Sequence, residues 1–119
     1  MSVASYQQDV IFDIDLENFE QRVLNTSHER IVLVDFWAAW CSPCLVLAPT
    51  LIEVVQEYEG SVLLAKLEVD EGDNMKLAGQ YQTRGFPTVV LFQNGIEKNR
   101  FISARPKSFI REFIDPYLP

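Results

Sequence analysis

Short apolar runs alternate along this chain with segments whose apolar residues recur at helical spacing. The run 31–37, Ile-Val-Leu-Val-Asp-Phe-Trp, is rich in β-branched and aromatic residues, which is typical of a central strand buried on both faces. The runs 10–12 and 62–69 have a similar character and predict two further strands. Asp35 lies inside the run 31–37 and Lys66 inside the run 62–69, so each is a candidate buried charge.

The segments between these strands predict helices. Asp13 and Asp15 are placed to cap a first helix, because short acidic side chains can accept from the free N–H groups of a first turn. A second helix is predicted over 45–59, with a kink at Pro49. The segment 70–82 suits a loop and a short third helix. The apolar positions of the first helix are Leu16, Phe19, Val23 and Leu24.

The last third of the chain predicts a hairpin and a final helix. Residues 88–93 and 96–102 flank Asn94-Gly95, and this dipeptide is the strongest two-residue hairpin signal. Pro106 is well placed to open a helix that Pro116 ends.

The resulting order β-α-β-α-β-α-β-β-α defines the fold class. Alternating strands and helices with a terminal hairpin predict an α/β sandwich, in which helices cover both faces of a mixed five-stranded sheet. We expect one domain over residues 1–119, with residues 1–9 as a flexible N-terminal extension.

The composition excludes several classes of protein. The chain has 119 residues, 48% of them hydrophobic and 23% charged, which is the balance of a folded domain and not of a disordered chain. Two cysteines are too few for a disulfide-stapled miniprotein. Because Cys41 and Cys44 are three positions apart, a bond between them closes only a tiny loop, and its purpose is more plausibly chemical than structural.

The net charge of −7 argues against nucleic acid or an anionic membrane as a partner. The charge is uneven: residues 1–73 carry 14 acidic and 3 basic side chains, whereas residues 74–119 carry 3 acidic and 7 basic ones. Two interpretations stay open, a solvated surface with a polarised field or a basic stretch that docks an acidic partner. That stretch comprises Lys98, Arg100, Arg105, Lys107 and Arg111.

The sequence predicts a cytoplasmic location. The N-terminus has neither a basic region nor a continuous apolar stretch of the kind a secretory signal needs, and no apolar run reaches the length of a bilayer span. A mature secreted chain without its signal would look the same. In the cytosol thiols are kept reduced, so a Cys pair there more often indicates redox turnover or metal binding than a permanent bridge.

The position of Cys41 between a predicted strand and a predicted helix indicates its chemistry. Free N–H groups and the positive end of the helix dipole should face its sulfur and favour the thiolate. We therefore predict that Cys41 is reactive and partly exposed, and that Cys44, one turn further on, is a buried resolving thiol. Two alternatives are half of a zinc site shared between two chains, with His28 and carboxylates as the other ligands, and a pair of inert core cysteines.

Several segments resemble the thioredoxin family. The segment Val34-Asp-Phe-Trp-Ala-Ala-Trp-Cys-Ser-Pro-Cys44 is similar to the thioredoxin active-site segment, and Arg84-Gly-Phe-Pro-Thr88 is similar to the family's cis-proline loop. The resemblance covers about residues 11–118 and implies a thioredoxin fold with thiol–disulfide oxidoreductase activity. Three shorter matches in the same order are Ala48-Pro49, Ala65-Lys66-Leu67 and Phe92-Gln-Asn-Gly95.

The resemblance implies four catalytic residues. Cys41 matches the attacking nucleophile and Cys44 the resolving cysteine. Asp35 matches a buried carboxylate that helps to move the proton of the second cysteine, and an apolar environment raises a carboxyl pKa toward the range where such transfer is efficient. Lys66 matches a lysine that tempers this carboxylate, although a surface lysine with a buried stem fits the sequence equally well.

The resemblance also implies a substrate-binding groove. Trp40 and Phe86-Pro87 match the groove that holds an extended target peptide. If Pro87 is cis, the backbone groups of Phe86 are free to pair with that peptide as an added strand. For Trp37 we favour a place in the core.

Three residues depart from the family's pattern. Ser42 replaces the usual glycine of the Gly-Pro dipeptide between the cysteines, whereas Pro43 is retained, so these two residues are expected to tune the reduction potential. Leu45 stands where many thioredoxins have a basic residue that stabilises the thiolate. Ser103 stands where the family usually has a glycine beside the peptide groove, and a larger residue there is expected to narrow that groove.

The resemblance implies that the partners are proteins bearing disulfides or thiols, with a thioredoxin reductase as the reductant and with no cofactor or metal. A second function is suggested by the chain end. The segment 106–119 is similar to the segment that leads into tetratricopeptide helices in thioredoxin-domain co-chaperones. In that interpretation the chain continues beyond Pro119 and is a module of a redox-linked chaperone with weak reductase activity.

Overall fold

A computed structural model describes residues 10–119 as a five-stranded mixed sheet with helices on both faces. The expected flexible extension at residues 1–9 lies outside the described residues. The strands lie in the order β1-β3-β2-β4-β5 across the sheet. They are β1 (Ile11–Asp13), β2 (Ile31–Trp37), β3 (Val62–Glu68), β4 (Thr88–Gln93) and β5 (Ile96–Ile102).

The central strand β2 sets the register of the site. It pairs in parallel with β3, which places Asp35 opposite Lys66 and Trp37 opposite Glu68. On its other side β2 pairs antiparallel with β4. Every residue of β2 before Trp37 is buried, as the apolar run predicted, because helices cover both faces of this strand.

The helices complete the predicted sandwich. Buried side chains form two clusters, one on each face of the sheet. The strongly apolar positions of β2 and β3 are divided between these clusters, since successive residues of a strand point to opposite faces. The helical segments are α1 (Glu20–Asn25), α2 (Ser42–Glu57), α3 (Asn74–Gln80) and α4 (Lys107–Ile114), with short 3-10 turns at Thr26–His28 and Asp115–Tyr117.

The first helix differs from the prediction in its start and in its type. Asp13 does not cap it, because this residue belongs to β1. Asp15 instead closes a turn with Asn18: each backbone N–H donates to the other's side-chain oxygen over 2.9 Å. Reciprocal bonds of this kind are the pattern of a capping box, so Asp15 acts at the entry to the helix as predicted. Helix α1 itself spans only Glu20–Asn25 and has π-helical hydrogen bonds.

Helix α2 begins three residues earlier than predicted and ends two residues earlier. Its N-cap is Cys41, and Pro43 lies in the first turn, where the missing N–H of proline would have no partner in any case. Pro49 lies inside the helix without ending it. Beyond the last turn Glu59 and Gly60 both have positive φ, of 51° and 93°. This reversal ends the helix.

The predicted hairpin is confirmed, and its turn is anchored to the 3-10 turn after α1. Asn94 and Gly95 have φ of 56° and 82°, the left-handed pair that a tight two-residue hairpin turn requires. Both N–H groups donate over 2.8 Å to buried Ser27, that of Asn94 to its carbonyl oxygen and that of Gly95 to its hydroxyl.

The basic stretch is largely neutralised by carboxylates of the same chain. Arg100 forms a bidentate pair with Glu97 and also donates to the carbonyl oxygen of Tyr81. Two further pairs join α4 to α2, Arg111 with Glu57 and Lys107 with Glu53. These contacts favour the interpretation of a solvated surface over a dock for an acidic partner. Among residues 10–119 no helix is long and apolar enough to cross a membrane.

Replacing Gly95 with alanine tests the hairpin turn. The φ of 82° strains any residue with a Cβ atom, and the new Cβ would lie 3.0 Å from Nε2 of His28. We expect Gly95→Ala to lower the free energy of unfolding by about 1–3 kcal/mol in urea denaturation. Gly72→Ala is the matched control. Gly72 also has a positive φ, of 48°, but no atom lies within 4 Å of the added Cβ, so this variant lacks the close contact with a neighbouring side chain. Equal losses in the two variants would contradict this account.

Candidate active site

The two cysteines lie at the junction of β2 and α2. The chain leaves β2 at Trp37, and the N–H of Cys41 then donates to the carbonyl oxygen of Ala38 over 3.1 Å, which turns the chain into the helix. Cys41 caps α2 and Cys44 lies in its first turn. The two residues form a disulfide, with their Cα atoms 5.3 Å apart.

Helix α2 directs hydrogen-bond donors at the sulfur of Cys41. The backbone N–H of Cys44 donates to Cys41 Sγ over 3.2 Å. The same N–H also donates to the carbonyl oxygen of Cys41 over 3.1 Å, so it is shared between two acceptors of that residue. The helix dipole places partial positive charge at the same end. Both effects stabilise a negative sulfur, so the thiolate of reduced Cys41 is favoured. The predicted position of Cys41 at a helix start is confirmed.

The predicted partial exposure of Cys41 is wrong. Only 4% of Cys41 is exposed, and Cys44 is buried as predicted, with 1% exposed. The cause is the loop before β4, since the carbonyl oxygen of Phe86 lies 3.4 Å from Cys41 Sγ. The loop therefore covers one side of the sulfur while Cys44 covers another.

Trp40 and the Phe86–Pro87 loop lie on the exposed side of the cysteine pair. The Phe86–Pro87 peptide bond is cis, as the sequence predicted. The rings of Trp40 and Phe86 meet edge to face with centroids 6.1 Å apart. Trp40 is 66% exposed, whereas Pro87 is buried. The residues that the resemblance assigned to substrate binding are thus brought together beside Cys41.

Asp70 is a site residue that the sequence analysis missed. It accepts a hydrogen bond of 2.6 Å from the indole Nε1 of Trp40, which fixes the orientation of an otherwise exposed ring. A signal for this contact was present: neighbouring parallel strands end at the same edge of a sheet, and Trp37 lies opposite Glu68 in the register. Residues that closely follow these two strand ends are therefore close in space.

Asp35 is a buried carboxyl group on β2, the strand that leads to the cysteine pair. It is 1% exposed, and its Oδ1 has no hydrogen-bond partner among the described residues. Burial in apolar surroundings raises the pKa of Asp35 from 3.8 to about 7, while the positive charge of Lys66 opposes this shift. Asp35 is therefore a group that can take up or release a proton near neutral pH.

Lys66 is half-buried beside Asp35. Its ammonium group lies 4.8 Å from the ring centroid of Trp37, a cation–π contact. Trp37 is itself half-buried and packs against the core, and its Nε1 has no partner among the described residues. The half-burial of Lys66 is compatible with both interpretations, a lysine that tempers Asp35 and a surface lysine with a buried stem.

The residues that depart from the thioredoxin pattern lie around the same site. Ser42 and Pro43 are exposed in the first turn of α2. Leu45, in the next turn, is 54% exposed. Ser103 directly follows β5, with φ of 77°, and its N–H donates to the carbonyl oxygen of Pro87 over 3.1 Å.

The zinc alternative is not assembled within the described chain. Among residues 10–119 no three His, Cys, Asp or Glu side chains gather as ligands for a metal ion. His28 lies beside Gly95, beyond the end of β4, whereas the cysteine pair adjoins Phe86, before its start. Six strand residues separate these positions, a distance of about 20 Å.

Comparison with known proteins shows similarity along nearly the whole chain. The family model described as Thioredoxin matches residues 10–116. Thioredoxin 2 of Chlorobaculum tepidum is 39% identical over 107 residues, which are 90% of this chain and 94% of that protein. Thioredoxin of Buchnera aphidicola is 40% identical over 105 residues, or 88% and 94% of the two chains. Thioredoxin M-type, chloroplastic, of Spinacia oleracea is 41% identical over 106 residues, or 89% and 56%.

Replacing Asp35 with asparagine tests the buried carboxyl group. Because the pKa is about 7 in the folded state and 3.8 is the ordinary value, the folded state binds more protons between these pH values. Wild-type stability should therefore fall as the pH rises from 4 through 7, by up to about 4 kcal/mol, since each pKa unit corresponds to about 1.4 kcal/mol. Asp35→Asn should lack this fall and exceed the wild type in stability at pH 8.

The measurement is urea denaturation of both proteins at several pH values between 4 and 9. Asp13→Asn, which changes an exposed aspartate of the same sheet, should keep the pH dependence of the wild type. A parallel pH dependence of wild type and Asp35→Asn would contradict the raised pKa.

Proposed function

Because the chain belongs to the thioredoxin family and is a thiol–disulfide oxidoreductase, we propose that Cys41 and Cys44 are the pair that exchanges disulfides with other proteins. The observation that carries this proposal is the hydrogen bond from the Cys44 N–H to Cys41 Sγ at the start of α2. It distinguishes the two sulfurs, because the donor and the helix dipole both favour charge on Cys41.

The reaction has two exchange steps. The Cys41 thiolate attacks one sulfur of a client disulfide, a mixed disulfide forms, and the other client sulfur leaves as a thiolate. The Cys44 thiolate then attacks Cys41 Sγ and releases the second client sulfur as a thiolate. The client has gained two electrons and the protein has lost two, which leaves the Cys41–Cys44 disulfide present in the structure.

Asp35 is proposed as the proton acceptor for Cys44. The second step needs a Cys44 thiolate, and a buried thiol loses its proton reluctantly unless a base is near. The pKa of about 7 allows Asp35 to accept this proton at neutral pH. Lys66 is proposed to act through Asp35, because its positive charge opposes the rise of that pKa and so keeps the carboxylate available.

Trp40, Phe86 and Pro87 are proposed to bind the client chain. An extended client segment that presents its sulfur to Cys41 has to lie against these residues, since they border the sulfur on its exposed side. Ser42 and Pro43, between the two cysteines, are proposed to tune the reduction potential. These two residues directly follow Cys41 and directly precede Cys44 in the chain, and both are exposed in the first turn of α2.

We propose that the pair turns over in a reducing compartment, the cytoplasm, with a thioredoxin reductase as the source of electrons. A reductant is required by the chemistry, because each client disulfide leaves the protein oxidised. The co-chaperone alternative is not favoured, since the relatives reported above are named thioredoxins and align along most of this chain.

Single cysteine replacements test the assigned order of attack. In an insulin-reduction assay with an added chemical reductant, Cys41→Ser should lose at least 90% of the rate above background, because the attacking thiolate is absent. When pre-reduced and then freed of reductant before it is mixed with the client, Cys44→Ser should instead accumulate a covalent adduct, since no thiol is left to resolve the mixed disulfide. Electrophoresis without reductant measures that adduct. Adduct formation by Cys41→Ser and none by Cys44→Ser would reverse the assignment.

A further inference from the structure

Ser103 combines a left-handed backbone with a position beside the active-site loop. Its φ is 77° and its side chain is exposed. Its N–H donates a hydrogen bond of 3.1 Å to the carbonyl oxygen of Pro87. A residue with a Cβ atom takes up such a φ only at a cost in free energy, and residues of this kind are concentrated at functional sites. This conformation therefore invites a functional explanation.

The other positive φ values of non-glycine residues have local explanations. Glu59 and Gln82 closely follow the ends of α2 and α3, and Asn94 occupies the hairpin turn. Chain reversal at a helix end or in a tight turn accounts for all three. Among the non-glycine residues of the described chain with positive φ, Ser103 is the one that adjoins the active site.

Cys41 is almost fully enclosed by its own chain, even without a bound client. The residue is 4% exposed, and the Phe86 carbonyl oxygen lies 3.4 Å from its sulfur. A sulfur enclosed in this way can be reached from few directions, because attack on a disulfide requires direct contact between sulfur atoms. Side chains at the rim of the opening therefore decide which client chains fit.

We propose that Ser103 is a specificity-determining residue that limits the size of the client side chain next to the reacting cysteine. The inference rests on the proposed function. Ser103 is joined by its N–H to the carbonyl oxygen of Pro87, the neighbour of Phe86, whose carbonyl oxygen lies 3.4 Å from Cys41 Sγ. Its side chain is exposed, and we therefore assign its Cβ and hydroxyl to the rim of the opening. The hydroxyl forms no hydrogen bond within residues 10–119. Glycine would adopt the same φ without strain and would remove both atoms from the rim.

The test uses two synthetic peptide disulfides that differ only in the residue before one cysteine, glycine in one and tryptophan in the other. The second-order rate constant for reduction by pre-reduced protein is measured for the wild type, Ser103→Gly and Ser103→Ala. Ser103→Gly should raise the tryptophan-to-glycine rate ratio at least about fivefold, the factor that about 1 kcal/mol provides. Ser103→Ala removes the hydroxyl but keeps the Cβ atom, and should give a ratio between those of the wild type and Ser103→Gly.

Glu59→Gly is the matched control. It also replaces a residue with positive φ, but at the far end of α2, about 24 Å along the helix from Cys41. A shift of the ratio in this variant as large as that in Ser103→Gly would overturn the proposal, because a general change in stability would then explain both.

The remaining outcomes are also decisive. A ratio for Ser103→Gly within twofold of the wild type overturns the specificity proposal alone, provided that the wild type reduces the glycine peptide. A ratio for Ser103→Ala above that for Ser103→Gly overturns it as well, because discrimination would then not follow the size of residue 103. Failure of the wild type to reduce either peptide overturns the proposed function together with this inference.

Discussion

The active site depends on one hydrogen bond, from the Cys44 N–H to Cys41 Sγ where α2 begins. The bond requires that β2 end before the cysteine pair and that the helix start at Ser42, and Pro43 suits this start because it needs no hydrogen-bond acceptor. It also makes the two sulfurs unequal, since Cys41 receives the donor and Cys44 supplies it. The order of attack follows from that asymmetry.

The buried central strand adds a second constraint. An apolar strand covered on both faces carries Asp35 in its interior, so burial raises the pKa of the carboxyl to about 7. The loop before β4 separately leaves Cys41 only 4% exposed. The buried carboxyl group and the enclosed sulfur thus have different causes, one in the strand and one in the loop.

Structural elements that depend on short-range sequence patterns could be predicted from the sequence. The β-branched run of β2, the Asn94-Gly95 turn and the helix start after Cys41 each follow from short-range patterns, and all three are confirmed. The π-helical form of α1 could not be foreseen, because the capping pattern of Asp15 and Asn18 marks the entry to a helix but does not fix its type. The burial of Cys41 and its contact with Phe86 depend on a loop 45 residues away, which no local pattern encodes.

The most direct test of this account is the thiolate titration of the reduced protein, followed by ultraviolet absorbance in the wild type and in Cys41→Ser. We predict that Cys41 titrates below the value of about 8.5 for a free cysteine, and that the remaining Cys44 in Cys41→Ser titrates above the value found for Cys41. A Cys41 pKa at or above that of free cysteine, or a Cys44 pKa below that of Cys41, would contradict the central claim.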